Sequence, residues 1–260
     1  MFHYQELKGA FERLGLAEKP VIVHAALKPF GSIEGGPETV LHAMLPAFKS
    51  IIMPTFTYMT MVTPQVGPSN NGIQYGTDKD LNKMAQPFKR NMQADVMMGA
   101  LSETVRIHPG SKRTLHPILS FSGIHADEFL DTQTLAEPLA PIGALAEADG
   151  WVVLINVGHD VNTSIHYAEK LAGRRQFVRW ALLPDRIVEC PNFPGDSSGF
   201  TAIDKYIQPD TRRVDIGNAF IQAVPLKRLF SVVGEMIKKD PLALLCDRLD
   251  CDRCNDVRQK

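Results

Sequence analysis

The 260-residue sequence carries almost no net charge: 28 Lys and Arg stand against 29 Asp and Glu, a formal balance of −1. With no global field, neither nucleic acid nor an anionic membrane is indicated as a partner, and a charged substrate must be met by local groups. Long apolar runs are missing as well. None approaches the roughly 20 residues of a spanning helix, and the opening MFHYQELKGAFERLG has charges every few residues, so it reads as an amphipathic helix rather than a secretory signal. A soluble, cytoplasmic protein is the expectation. Cysteine is sparse: four in so long a chain make no disulfide framework, and in a reducing compartment they are free thiols or metal ligands. No internal repeat and no linker divides the chain.

What is present is apolar residue in quantity, 44% of the chain, enough to bury a sizeable core. We expect one compact domain over residues 1–260 with a cysteine-containing tail at 240–260, acting as a monomer or homodimer. Strand-like and helix-like segments alternate, which is an α/β pattern. PVIVHAAL (20–27) and SIIMPTFTY (50–58) read as strands and PETVLHAMLPAF between them as a helix. Residues 59–93 are rich in turn formers without sustained periodicity, which predicts a substrate-facing loop or lid. A helix over about 95–107, a strand in LHPILSFSGI and a short helix or loop in ADEFLDTQTLAE follow. WVVLINVG has the continuous apolar character of a buried strand, and NTSIHYAEKLAG runs from N-cap residues to a terminal glycine, as a helix does. RIVECPNF and VDIGNAFIQAVPL each read as a strand and LKRLFSVVGEMIKKDP as a helix, with a cysteine knuckle in the tail.

The chemistry concentrates in the loop and helix after the apolar strand, Gly158 to Glu169, where open α/β sheets bind ligands outside the carboxyl ends of their strands. His166 and Glu169 stand three residues apart and share a helix face. A histidine oriented by a carboxylate can take a proton near neutral pH. Either Asp160 or Glu169 could be the orienting group, and His159 could simply hold the turn.

This stretch, VGHDVNTSIHYAEKLAG, resembles the signature G-x-G-H-D-x-N-T-x-x-H-x-x-E of the aminoglycoside 3-N-acetyltransferase family, with Asn156 standing where that family usually has a small or apolar residue. Further matches span the chain: V-x-V-H-x-x-L-K at 21–28, Gly35-Gly36-Pro37, Met53-Pro54-Thr55, His116-Pro117 with Ser120-Phe121, and Gly217-Asn218-Ala219. The resemblance implies an α/β fold with a central mixed sheet flanked by helices, and direct acetyl transfer from acetyl-CoA to a small-molecule amine, with His166 as base and Asp160 near it. It also implies that residues 24–36 line the CoA channel: Lys28 would meet a phosphate, the backbone around Ala26, Leu27, Gly31 and Ser32 would bond pantetheine, and amides beyond His24 would receive the oxyanion. His116, Ser120 and Phe121 would lie near the same cofactor. Ala25-Ala26 replaces the Ser-Ser more usual there, which removes two hydroxyl contacts.

Aminoglycosides are polycations and need converging carboxylates. In the loop after Met53-Pro54-Thr55, Asp78 and Asp80 are offset by Lys79, Lys83, Lys89 and Arg90, with Asp95, Glu103 and Asp196 as further acidic candidates, so aminoglycosides are expected to be poor acceptors. Cys246, Cys251 and Cys254, with Cys190 upstream, supply four thiols for a structural zinc ion. Two rival functions remain open. One is a metal-dependent hydrolase using His159, Asp160, His166 and Glu169; the other is a CoA-binding protein whose altered pocket no longer catalyses.

Overall fold

The structure, a computed structural model, describes residues 1–77 and 79–259, apart from the side chains of residues 79–81. The fold grows from three segments with little polar content, PVIVHA, SIIMP and WVVLI, nearly every residue of which is buried. Runs of this kind need cover on both faces, so they belong at the centre of a sheet. In chain order the elements are α1 (Tyr4–Glu12), β1 (Pro20–Ala25), α2 (Gly36–Met44), β2 (Ser50–Pro54), β3 (Met61–Val62), α3 (Lys79–Met84), α4 (Gly99–Ile107), β4 (Ser111–Arg113), β5 (Phe121–Ile124), α5 (Asp127–Leu130) and α6 (Ala140–Glu147). They continue with β6 (Trp151–Ile155), α7 (Thr163–Leu171), β7 (Phe177–Leu182), β8 (Ile187–Phe193), α8 (Asp204–Ile207), β9 (Arg212–Ile216), β10 (Ala219–Pro225), α9 (Leu226–Lys239) and α10 (Asp252–Arg258).

The main sheet has seven strands in the order β4-β5-β2-β1-β6-β10-β9. β1 runs parallel to both β2 and β6, and the outer strands pair antiparallel. Side-chain alternation along the central strands feeds two separate cores. Ile22, Val152 and Leu154 join the cluster that includes Leu145, Ile165 and Leu229, from α6, α7 and α9. Val21, Val23, Val153 and Ile155 face the other way, toward Leu7, Leu41 and Val105 of α1, α2 and α4. Each such fully buried aliphatic side chain contributes about 1.5–3 kcal/mol. β9, at one edge, carries the exposed pair Arg212 and Arg213, the usual guard against edge-to-edge pairing. A second, three-stranded sheet, β3-β7-β8, packs beside the carboxyl ends of the parallel strands. This is the mixed α/β architecture expected from the sequence. Among the described residues no helix is long and apolar enough to cross a membrane.

Several boundaries differ from the sequence reading. Residues 214–226 form the end of one strand and the whole of another, joined at Gly217-Asn218; Gly217 sits at φ 58, the positive value that a tight hairpin turn requires. Strand β7, an apolar run with one arginine, and helix α6 are both absent from the sequence reading, and the tail carries a short helix, α10. The 59–93 segment is a loop containing β3 and α3, and its Met61, Gly72 and Ile73 line a cavity. Asp78 and the side chain of Asp80 lie outside the described residues.

Candidate active site

β2 and β6 flank β1 on opposite sides, and the helices that lead out of and into these parallel strands lie on opposite faces, so the chain diverges at their carboxyl ends. A crevice results there. It is a cavity of about 760 Å³, walled by His24 to Ala26 at the end of β1, Pro54 and Phe56 at the end of β2, and Val157 and Asp160 after β6. The small sheet and the tail close the far side with Arg179, Phe193 to Ser197 and Arg253.

Asn156, the departure from the family signature, ends β6 at φ 54, a left-handed conformation that asparagine tolerates well. Its side chain donates to the Ala26 carbonyl at 3.1 Å and accepts from the Phe220 amide at 2.7 Å. It therefore ties the loop after β1 to β10. Asn162 is the N-cap of α7: its Oδ1 accepts from the Ser164 amide at 3.0 Å. Its amide nitrogen lies 3.1 Å from Nδ1 of His159, which is buried, and burial holds the His159 pKa below its ordinary value despite Asp204 and Asp160 nearby. His159 is thus a neutral part of the turn.

One turn into α7, His166 reaches the cavity wall. Its Nδ1 lies 3.2 Å from Oε2 of Glu169, and its ring packs edge-on against Phe200 with centroids 4.7 Å apart. Glu169 is 3% exposed, and its other oxygen meets Nε of Arg174 at 3.3 Å as an ion pair rather than a well-directed hydrogen bond. Arg174 in turn donates to the carbonyls of Pro241 and Ala243. A carboxylate so placed accepts the Nδ1 proton and leaves the lone pair on Nε2. Of the two carboxylates considered, Glu169 makes this contact, whereas Asp160 is exposed on the cavity wall. His159, Asp160, His166 and Glu169 do not converge as metal ligands: Glu169 is engaged by His166 and Arg174, and His159 by Asn162. Among the described residues the one group with metal-ligand geometry lies in the tail.

The expected cofactor residues are only partly together. Ala26 lines the cavity. Its amide, however, is donated to the Ile155 carbonyl and that of Gly31 to the Lys28 carbonyl, so neither remains for pantetheine or an oxyanion. Leu27 packs into the apolar cluster under α1 and α2, and Lys28 and Ser32 are exposed on the adjoining loop, where the Ser32 carbonyl accepts from Phe2. His116, Ser120 and Phe121 make structural contacts. The Nδ1 of His116 accepts the Ile118 and Leu119 amides, the Ser120 hydroxyl donates to the Thr55 carbonyl at 2.8 Å, and Phe121 stacks edge-on against Phe56. All three are buried, at 4%, 0% and 0% exposure, and His116 Nε2 has no hydrogen-bond partner among the described residues.

Cys190 is the clearest correction. It sits on β8 in the main apolar core, where burial pushes its thiol up to about 12, and it is not with the other three cysteines. Asp196 takes the fourth place beside Cys246, Cys251 and Cys254. Of the acidic candidates, Glu103 pairs with Arg106 and Asp95 caps the turn at Met97, leaving Asp196 on the cavity wall. Arg179 was not anticipated. It is buried in that wall between Phe177 and Phe193, at 5.5 and 5.2 Å from their rings, and bonds the carbonyls of Asn71 and Val178; burial, then Arg253, lowers its pKa to about 10. A lone arginine inside the apolar run FVRWAL was the signal available for it. His24, also in the wall, is neutral, because burial and then His159 press its pKa down to about 3.

Comparison with known proteins follows the same lines. A family model described as aminoglycoside 3-N-acetyltransferase matches residues 22–238. Aminoglycoside N(3)-acetyltransferase IV of Salmonella sp is 25% identical over 252 residues, 92% of this chain and 89% of that protein. Aminoglycoside N(3)-acetyltransferase VII of Streptomyces paromomycinus is 28% identical over 171 residues, 61% of this chain and 57% of that protein. Among solved structures, the apoenzyme of aminoglycoside acetyltransferase AAC(3)-IVa superposes with a TM-score of 0.79 at 22% identity, covering 99% of this chain and 97% of that one. A binary complex of AAC-IIIb with CoASH superposes at 0.72 and 21% identity, covering 92% and 97%.

Proposed function

The chain belongs to the aminoglycoside 3-N-acetyltransferase family, and from that premise we propose that it moves an acetyl group from acetyl-CoA directly onto the amine of a small molecule, with His166 as the general base. The observation that carries this reading is the buried contact of His166 Nδ1 with Glu169 on the wall of a cavity at the ends of the parallel strands. Nε2 of His166 takes a proton from the acceptor amine as its nitrogen attacks the thioester carbonyl. The C–S bond breaks as the tetrahedral adduct collapses, and the proton passes to the departing CoA thiolate. No acetyl-enzyme is needed. Glu169 holds the imidazole in the right tautomer and balances its charge, and Arg174 lies against its other oxygen.

The relatives named above act on aminoglycosides, and the 3-amino group of an aminoglycoside is the first acceptor to try. Among the described residues the cavity sets two carboxylates, Asp160 and Asp196, against two guanidiniums, Arg179 and Arg253. That balance suits a smaller or less cationic amine better than a polycation. Lys28, at the cavity's edge in sequence, remains the expected partner of a CoA phosphate. A cytoplasmic location, where acetyl-CoA is made, fits this reading, as does a monomer or homodimer. Any metal held by the tail thiols is structural here, since His166 handles the proton.

Thiol release from acetyl-CoA across a panel of aminoglycosides, amino sugars and aminophosphonates tests the proposal. Amine-dependent release that disappears in His166→Ala supports it. CoA binding without release for any amine would establish the altered CoA-binding protein instead.

A further inference from the structure

Three cysteines in the tail form a small cluster of their own, apart from both cores and packed by Leu245. Cys246, Cys251 and Cys254 are 4%, 6% and 1% exposed, and their sulfurs together with a carboxylate oxygen of Asp196 all lie within 4.8 Å of one another. The Cys246 and Cys254 sulfurs are 3.4 Å apart, far beyond a disulfide bond. A tetrahedral zinc ion with Zn–S of about 2.3 Å spaces its sulfurs by about 3.8 Å, so the four ligands need to close by no more than about 1 Å. Arg248, 3.1 Å from Asp196, puts a positive charge beside a ligand set that is anionic once its thiols ionise.

We propose that Asp196, Cys246, Cys251 and Cys254 bind one zinc ion in a closed, structural site that clips the C-terminal tail onto the wall of the cavity. Three thiolates and a carboxylate in tetrahedral array suit zinc, and four protein ligands leave no open position for catalysis. Binding displaces the thiol protons to solvent, so affinity falls in acid.

The clip has a mechanical consequence, because its residues alternate with cavity residues. Arg253, between Cys251 and Cys254, lines the cavity and donates to the Gly195 carbonyl at 2.9 Å, next to Asp196. The same arginine presses on Gly72, where a Cβ would lie 2.9 Å from the Arg253 Cα and where φ is +60, so glycine is required. Asp256, two residues beyond Cys254, accepts from the Gly72 amide at 2.7 Å. Tail, Pro194–Ser197 wall and the 59–93 loop are thus locked through one point. This inference stands apart from the acetyl-transfer reading and can fail without it.

The test is metal analysis of the purified full chain. We expect one zinc per chain, retained through gel filtration, and cobalt replacement giving the intense visible bands of a tetrahedral thiolate complex. Cys251→Ser and Asp196→Asn should lose or weakly hold the metal, while Cys190→Ala keeps it. Chelation should lower the melting temperature, expose three extra thiols to a thiol reagent and raise KM for the amine more than it lowers kcat, with zinc restoring all three. A chain that binds no zinc on reconstitution, an octahedral cobalt spectrum, or loss of the metal in Cys190→Ala would overturn the proposal. Should Cys251→Ser fail to fold, the cobalt spectrum of the wild-type chain and the metal content of Asp196→Asn still decide.

Discussion

Glu169→Gln probes the heart of the site, since it keeps the side chain's size and an oxygen that can accept from Nδ1 while removing the charge. During transfer His166 becomes an imidazolium 3.2 Å from the carboxylate. At an effective dielectric constant of about 20 that charge pair is worth about 5 kcal/mol. Arg174, 3.3 Å from the other oxygen, offsets part of it. A net loss of about 3–4 kcal/mol of transition-state stabilisation follows, a fall in kcat of about 10²–10³-fold. The resting fold suffers too, because Arg174 is left buried and unpaired. Breaking a buried ion pair costs about 3–5 kcal/mol, and the Pro241 and Ala243 carbonyls that Arg174 keeps place this case at the lower end. For a chain of this size that is a drop in melting temperature of about 6–12 °C. Thiol release at saturating amine reads the first effect and thermal unfolding the second. Glu169→Gln/Arg174→Gln should recover most of the stability and none of the turnover. A single variant with wild-type kcat would refute the claim that this carboxylate supports the imidazolium, and one with unchanged melting temperature would refute the buried pair.

The other predictions concern base, cofactor, acid stability and acceptor. His166→Ala should lower acetyl transfer by about a hundredfold or more with CoA affinity near normal, and wild-type turnover in the purified variant would sink the assignment. Acetyl-CoA should raise the melting temperature by mass action, and Lys28→Glu should shrink the shift; an undiminished shift moves the phosphate site elsewhere. His24 and His116, pressed by burial to about 3 and about 4, stay neutral in the fold while the unfolded chain takes up protons near its ordinary pKa of about 6.5. Their contribution to stability is whole above about pH 6.5 and is lost on acidification toward pH 4, at up to about 1.4 kcal/mol per pH unit for each; a melting temperature flat from pH 7 to 5 contradicts this. Aminoglycosides should be turned over less efficiently than a small amine, and kcat/KM of about 10⁴ M⁻¹s⁻¹ or above toward gentamicin-like or apramycin-like compounds would show the cavity's charge balance to be a poor guide.

What the sequence determined by itself is local. The three central strands are legible as apolar runs, Asn162 as a cap, and the shared helix face of His166 and Glu169 as a three-residue step, with the choice between Glu169 and Asp160 left to the fold, because strand burial, capping and helical spacing depend on neighbours a few residues away. The hairpin at Gly217-Asn218 was missed, because the apolar run around it reads as one strand and the pairing of its two halves is set by the sheet. Tertiary structure decided everything that joins distant segments. Arg174 reaches Glu169 only because the chain turns back after α7, and Arg179 enters the cavity only because β7 lies in a second sheet against the ends of β1, β2 and β6. Ser120 and Phe121 are directed into the interior by β5's place beside β2, which no spacing in the sequence specifies. The four cysteines show the difference most plainly. Composition cannot tell a thiol in the core from a ligand, and it is the sheet pairing of β8 with β7 that buries Cys190 while the loop after β8 carries Asp196 out to the tail.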